Sequence, residues 1–402
     1  MSVNTLTFNQ VATVLTSIVK QATGQTPLAI TDTGSFVSVA QTAWNSSKDA
    51  VVNAIGNVLG RTVFSIRPYD AKMTGLEMDS FRWGNVMRKL CIADSDWNDD
   101  KAFDYPVLFD SSENPATGNG LSVDQWVIKK PDIIQTNFYG QNVFGDHISI
   151  MEEQFETAFT SPEEFASFLS MITTNMSNRI QMERENTRRG LVANAIGAIY
   201  AENQSDRVVH LLSEYNDVTG ESYTAEDIYK PENFGDFTKW VYSRVAQITD
   251  LFTANSLKFQ TPYTGKPVLH HTPYEYQKVY LFSPFQRQIE ARVLADTYHD
   301  NYLKYADVEN IPFWQDINTP GTVKVTPCYS DASGQVVTAE AQTVENVFGI
   351  IFDRDFMGLT NLGERIVPTG VNGSGLYRNY WYHFRTRVMM DNHEKAVILL
   401  LD

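Results

Sequence analysis

Cysteine is nearly absent from this 402-residue sequence: Cys91 and Cys328 are its only two, far apart and without CxxC spacing. That excludes a disulfide framework and argues against a zinc site. The expected state is a pair of reduced, buried thiols in a cytosolic chain. No apolar run approaches the ~18 residues that a membrane-spanning helix needs. The opening segment, MSVNTLTFNQVATVLTSIVK, has neither a basic start nor an unbroken apolar stretch, so no signal peptide is expected. Basic runs are missing too; none exceeds two residues, as at Lys129-Lys130 and Arg188-Arg189. With a formal net charge of -16, this argues against a protein that wraps or reads nucleic acid, which needs clustered Lys and Arg on phosphates.

Catalytic signatures are also lacking. There is no P-loop, nucleophile elbow, HExxH zinc motif or dinucleotide fingerprint. Gly370 to Gly375 is glycine-rich but precedes a strand, where a phosphate cradle needs a helix amino terminus. Thr264-Gly265-Lys266-Pro267 imitates the end of a P-loop with proline in place of the hydroxyl. Asp94 to Asp100 carries the alternating oxygens of a calcium loop, without the glycine at its sixth place or the closing glutamate at its twelfth, which is Tyr105. A solvated acidic loop is the favoured reading. His270, His271 and His299 are candidates for a metal or acid–base site, but neighbours on a strand point to opposite faces, so ordinary histidines are favoured. Arg385 and Arg387 share one face of a strand; a solvated face and intersubunit pairing are the two readings, and exposed pairs contribute only ~0–1 kcal/mol each. No catalytic, cofactor-binding or metal-binding residue is expected, and no enzyme.

What is present is an ordered chain, 43% hydrophobic and 12% aromatic, too long for one efficient core and therefore expected to hold two or more packing units. Thr7 to Lys20 and about Ala43 to Leu59 carry apolar residues at helical spacing, joined by a polar, extended connector at Gln21 to Ser38. They read as an amino-terminal arm awaiting a neighbour, or else as helices folded back on their own domain. Thr62 to Ile66 reads as a strand. The stretch from Trp83 to Pro131 has turn residues at Gly118-Asn119-Gly120 and little periodicity, which is unusual inside a compact domain.

Ser161-Pro162-Glu163-Glu164 is the clearest local signal: a serine cap, proline at the first helical position and glutamate three residues after the cap. The helix it opens is expected to run to about Glu202, roughly 60 Å at 1.5 Å per residue. Its polar middle, Arg179 to Arg189, predicts a strut packed at its ends and wet at its centre, with Arg179–Glu183 and Glu185–Arg189 as i,i+4 pairs and Gly190 as a candidate kink. Asn203 to Phe234 is polar and turn-rich; Phe237 to Phe252 is amphipathic. Strands are expected at Lys278–Phe282, Val323–Val325 and Val347–Phe352, with a helix over Phe285–Ala295. The mixture has no regular βαβ spacing, so the fold class is α+β.

The carboxy-terminal stretch is the most informative. Tyr380 to Val388 alternates with a period of two, a polar turn follows at Asp391-Asn392-His393-Glu394-Lys395, and Ala396 to Leu401 is a continuous apolar run expected to be buried on both faces. Gly375-Leu376-Tyr377, Asn379-Tyr380-Trp381-Tyr382-His383 and Ala396-Val397 resemble the terminal strands of tailed-phage major capsid proteins of the phi29 type. Thr157-Ala158-Phe159 before Phe165-Ala166-Ser167-Phe168-Leu169 resembles the same family. The resemblance implies an HK97-like capsid fold: an amino-terminal arm with a first strand at 1–66, an E-loop at 67–134 lying across the adjacent subunit, a P-domain with a spine helix at 135–202, an A-domain at 203–374, and returning P-domain strands at 375–402. It also implies self-assembly into hexamers and pentamers of an icosahedral shell, scaffolding and portal proteins as partners, packaged double-stranded DNA held by confinement, assembly in the bacterial cytoplasm and residence in the virion. The carboxy-terminal immunoglobulin-like domain of the phi29 protein has no counterpart before Asp402. A portal or tail component and a soluble enzyme built on Asp94–Asp100 and the histidines are the alternatives.

Overall fold

A computed structural model describes residues 8–27, 29–51, 53–55, 72–78, 86–93, 132–139, 142–266, 268–285, 287 and 307–402. The expected strand at Thr62–Ile66, the acidic loop Asp94–Asp100, the turn at Gly118–Gly120, His299 and nearly all of the helix after Phe285 lie outside them.

The spine helix, α4 (Pro162–Glu202), organises the rest. Its Ser161 cap accepts from the Glu164 amide, proline occupies the first turn, and the helix ends on Asn203 in the left-handed conformation. It runs through Gly190 without a break. Its first half carries Phe165, Phe168, Leu169, Ile172 and Met176 into one core, which it shares with α1 (Phe8–Thr23), α2 (Thr33–Ser46) and the inner face of a three-stranded sheet. That sheet is β12 (Met357–Pro368), β13 (Tyr377–Met390) and β3 (Asn142–Met151), antiparallel throughout, with β13 in the middle. A short helix, α3 (Glu152–Ala158), joins β3 to the spine.

Here one expectation is corrected and one pair of alternatives is decided. The supposed connector at Gln21–Ser38 contains the start of α2, because Asp32 and Ser35 form a capping box. And the amino-terminal helices do not stand free: Val11, Leu15, Ile18, Phe36, Ala40 and Trp44 are buried with Phe159, Phe165 and Tyr380. Amphipathic helices this short are marginal alone, and the bare first half of α4 is the nearest apolar surface.

The second half of α4 enters another core. A five-stranded mixed sheet, in the order β4 (Val208–His210), β14 (Ala396–Leu400), β11 (Val347–Asp353), β5 (Gln277–Phe282), β6 (Asp307–Ile311), is covered on both faces. One face meets Val192, Ile196 and Ile199 of α4 with Trp314. The other meets α5 (Leu211–Thr219) and α7 (Pro231–Phe252), with α6 (Ala225–Ile228) between them in the chain. β14 therefore divides its side chains: Ala396, Ile398 and Leu400 enter the first core, Val397 and Leu399 the second. The continuous apolar run is buried on both faces, as expected. It does not, however, return to the sheet of β13; it is the second strand of the five-stranded sheet, between β11 and the short parallel edge strand β4. Two hairpin-like ladders complete this half, β7 (Val323–Val325) with β10 (Gln342–Val344), and β8 (Cys328–Ser330) with β9 (Val336–Thr338). The polar reading of Asn203 to Phe234 missed Leu211, Leu212, Tyr215, Ile228 and Phe234, all buried.

The middle of α4 is also unlike its expectation. Glu185, Arg188 and Arg189 are buried, not wet. Arg189 holds Glu185 at 2.6 Å and donates to the Phe313 carbonyl; Arg188 reaches Glu77 and the Lys72 carbonyl; Arg184 pairs with Glu364 of β12. The i,i+4 pair Glu185–Arg189 is present, whereas Arg179 turns to Asp146 of β3 at 2.8 Å. Segments far away in sequence cover the strut's centre, and they neutralise it while doing so.

Candidate functional site

The remaining element is a two-stranded ribbon, β1 (Val86–Ala93) paired antiparallel with β2 (Asp132–Tyr139), from Val86 opposite Tyr139 to Ala93 opposite Asp132. Its return strand extends past the boundary expected at residue 134. The period of two sorts the side chains cleanly. Arg88, Leu90 and Ile92 face outward beside Ile133, Gln135 and Asn137, and Leu90, Ile92 and Ile133 are 60%, 62% and 57% exposed. Lys89, Cys91, Ile134 and Thr136 form the half-buried inward face. Burial raises the Cys91 thiol above its usual range.

The ribbon is tied to the body by polar contacts. Lys89 pairs with both Asp391 and Glu394, Thr136 meets the Tyr263 hydroxyl at 3.3 Å, and Asp132 pairs with Lys266 at 2.9 Å. Asp391 and Glu394 belong to the β13–β14 turn. The turn is polar in sequence, yet all five residues, Asp391 to Lys395, are buried. It lies where the ribbon, the 252–272 loop and the central sheet converge, so water cannot serve its polar groups and the protein must. The Asn392 carbonyl accepts from the Thr261 amide at 3.1 Å. His393 Nδ1 lies 2.7 Å from the Thr261 carbonyl, which makes it the protonated nitrogen, and its ring stacks on Tyr263 at 3.5 Å. Lys395 Nζ donates to the Phe252 and Ala254 carbonyls, at 3.3 and 2.7 Å, at the carboxy end of α7, where a cation complements the helix dipole. Arg207, wholly buried beneath, donates to Glu202, Thr261 and the Ala396 carbonyl.

The electrostatics follow from burial and pairing. Burial pushes the Glu394 carboxyl up, but the hydrogen bond from His270 and the Lys89 ammonium override it and bring it to about 2. Burial pulls Lys89 down, and Asp391 and Glu394 outweigh it, leaving the ammonium above its ordinary range. Lys395 is pulled down to about 8 by burial, against Asp353 and Glu394. Burial lowers His393, opposed by the Thr261 hydrogen bond, and lifts Tyr263 to about 12. This is a structural joint, whose charged groups pair with one another across it.

Of the candidate metal or acid–base residues, only His270 and His271 lie among the described residues, and they do not form a site. His270 pairs with Glu394 at 2.9 Å while His271 is exposed. Among the described residues no three His, Cys, Asp or Glu side chains could hold a metal ion. No described helix is long and apolar enough to cross a membrane. Arg385 is exposed but Arg387 is buried, so the two do not make one solvated face. A β-bulge in β12 between Asn361 and Gly363 lies opposite Arg385 and Thr386, and the alternation of β13 shifts there. Val388 is exposed for the same reason.

A spine helix across a three-stranded and a five-stranded sheet, with a ribbon projecting from the body, defines the HK97-like α+β fold of phage capsids. A capsid chain of Staphylococcus phage Andhra superposes with a TM-score of 0.50 at 12% identity, over 84% of this chain and 86% of that one. A chain in the structure of the head fiber and inner core protein gp22 of native bacteriophage P68 does so equally, at 0.50 and 12%, over 83% and 85%. No curated protein sequence matches. The family described as Phi29-like phage major capsid protein matches residues 15–400, and the chain belongs to it. It is a major capsid protein, the structural unit of a phage shell.

Proposed function

We propose that this chain is the repeating tile of an icosahedral shell around the double-stranded DNA genome of a tailed phage, assembled in the bacterial cytoplasm as hexamers and pentamers with scaffolding and portal proteins. The observation that carries the reading is the ribbon's outward face. A two-stranded ribbon is marginal by itself in water, and this one turns Leu90, Ile92 and Ile133 to solvent. A neighbouring copy that covers them completes it. In this reading residues 67–139 are the flap, α4 with the three-stranded sheet and the amino-terminal helices is the peripheral unit, and residues 203–353 with β14 form the unit that meets its copies around the local symmetry axes. No residue carries catalysis; shell formation proceeds by mass action through many apolar contacts. Negative-stain microscopy of the expressed chain tests this: closed shells are expected, and rings, tubes or isolated globules would overturn it.

A further inference from the structure

The three-stranded sheet has one covered and one open face, and their charges differ. On the covered face each cation has an acid: Arg378 meets Asp49, Arg184 meets Glu364, and Arg179 meets Asp146. Glu364 and Asp146 are the only carboxylates in the three strands. On the open face the cross-strand rows are Arg365–His383–Gly145 and Val367–Trp381–His147, with Arg385 one step further along β13 beside Val143. No carboxylate lies in these rows. Arg365 and Arg385 are both exposed, and neither forms an ion pair among the described residues. Trp381 stacks on His147 at 4.4 Å and lies nearly parallel to His383 at 6.1 Å, so the centre of the face is a layered aromatic block. Gly145 leaves room for it, since a Cβ there would lie 3.1 Å from the His383 ring.

We propose that this open face docks the phosphate backbone of double-stranded DNA, an inference that rests on reading the protein as the wall of a DNA-filled shell. Two arginines and two imidazoles on one sheet face, whose cross-strand rows hold no acid in a chain of net charge -16, complement a polyanion. Guanidinium forks suit phosphate oxygens, and strands hold them in fixed places. The side chains read no bases, so the docking is independent of sequence. A second copy is the competing occupant, since Val143 beside Arg385 is itself 55% exposed, but a face with two arginines unpaired among the described residues and no acid in its rows complements a polyanion better than a copy of the same face.

The test is anisotropy of a short fluorescent DNA duplex with the purified chain, titrated between about 50 and 200 mM salt. The double variant Arg365→Gln/Arg385→Gln is expected to flatten the slope of log affinity against log salt by about 1.8, or 0.9 for each phosphate that is no longer neutralised. Lys230→Gln/Lys239→Gln on α7 and its cap, with the same change in net charge, is expected to leave the slope nearly unchanged. An equal slope in the arginine variant, or no binding by the wild type, overturns the inference. So does a variant that binds DNA normally but self-associates less, which would assign the face to a second copy. Shell closure is scored separately, by microscopy without DNA: shells from a variant that binds DNA like the wild type would sink the docking surface and leave the capsid reading standing.

Discussion

Lys89 is the residue on which the ribbon's attachment turns, because it faces two carboxylates that water cannot reach. Replacing it with methionine keeps the stem and leaves Asp391 and Glu394 buried without their cation. The loss of one partner of a buried pair costs about 3–5 kcal/mol, so Lys89→Met is expected to lower the unfolding free energy by that order and to speed amide exchange in residues 86–93 and 132–139. Acid should act on the same joint. Glu394 is held at about 2, against an ordinary 4.5, so its contribution is fully present above the ordinary value and disappears as pH falls toward the folded one. The difference corresponds to about 3 kcal/mol. Lys89, raised above its ordinary value, contributes below that value and loses the contribution only in strong alkali. The joint should therefore hold through neutral pH and loosen below about pH 4, seen as protease cleavage within the ribbon before global unfolding. Glu394→Gln should flatten this acid response.

At the scale of elements, the spine helix separates two kinds of glycine that its sequence presents alike. A Cβ on Gly197 would come 2.3 Å from Val325 of β7, whereas nothing lies within 4 Å of one on Gly190. Gly190→Ala is expected to raise stability by about 1 kcal/mol through helix propensity alone. Gly197→Ala should lower it by about 1–3 kcal/mol because overpacking outweighs the same propensity; thermal unfolding of the pair checks both. The helix itself was legible, since cap, proline and glutamates act within one turn. So was the alternation that defines β13, up to the bulge. The burial of Glu185, Arg188 and Arg189 was not, because their partners Glu77, Lys72 and Phe313 are more than a hundred residues away.

For the molecule as a whole, the proposed function makes the exposed ribbon the link between fold and assembly. Leu90→Asp/Ile92→Asp alters only outward-facing side chains, so circular dichroism and the thermal midpoint of the subunit should stay close to the wild type. Closed shells should vanish in sedimentation and micrographs, since a buried interface does not tolerate two unpaired carboxylates. A variant that unfolds would instead mean that the ribbon belongs to the subunit's own core.

The α+β class, the spine with its cap, the apolar terminal strand and the family itself could be read from residue order, because each depends on local propensity, periodicity or a short signature. Three things were decided only when the chain closed on itself. The amino-terminal helices took the bare half of α4, β14 left β13's sheet for the central one, and the polar turn between them became the buried joint under the ribbon. Burial is a property of what comes to lie on top of a segment. A run such as Asp391 to Lys395 carries no local sign that a loop from residues 252–272 and a lysine from residue 89 will cover it.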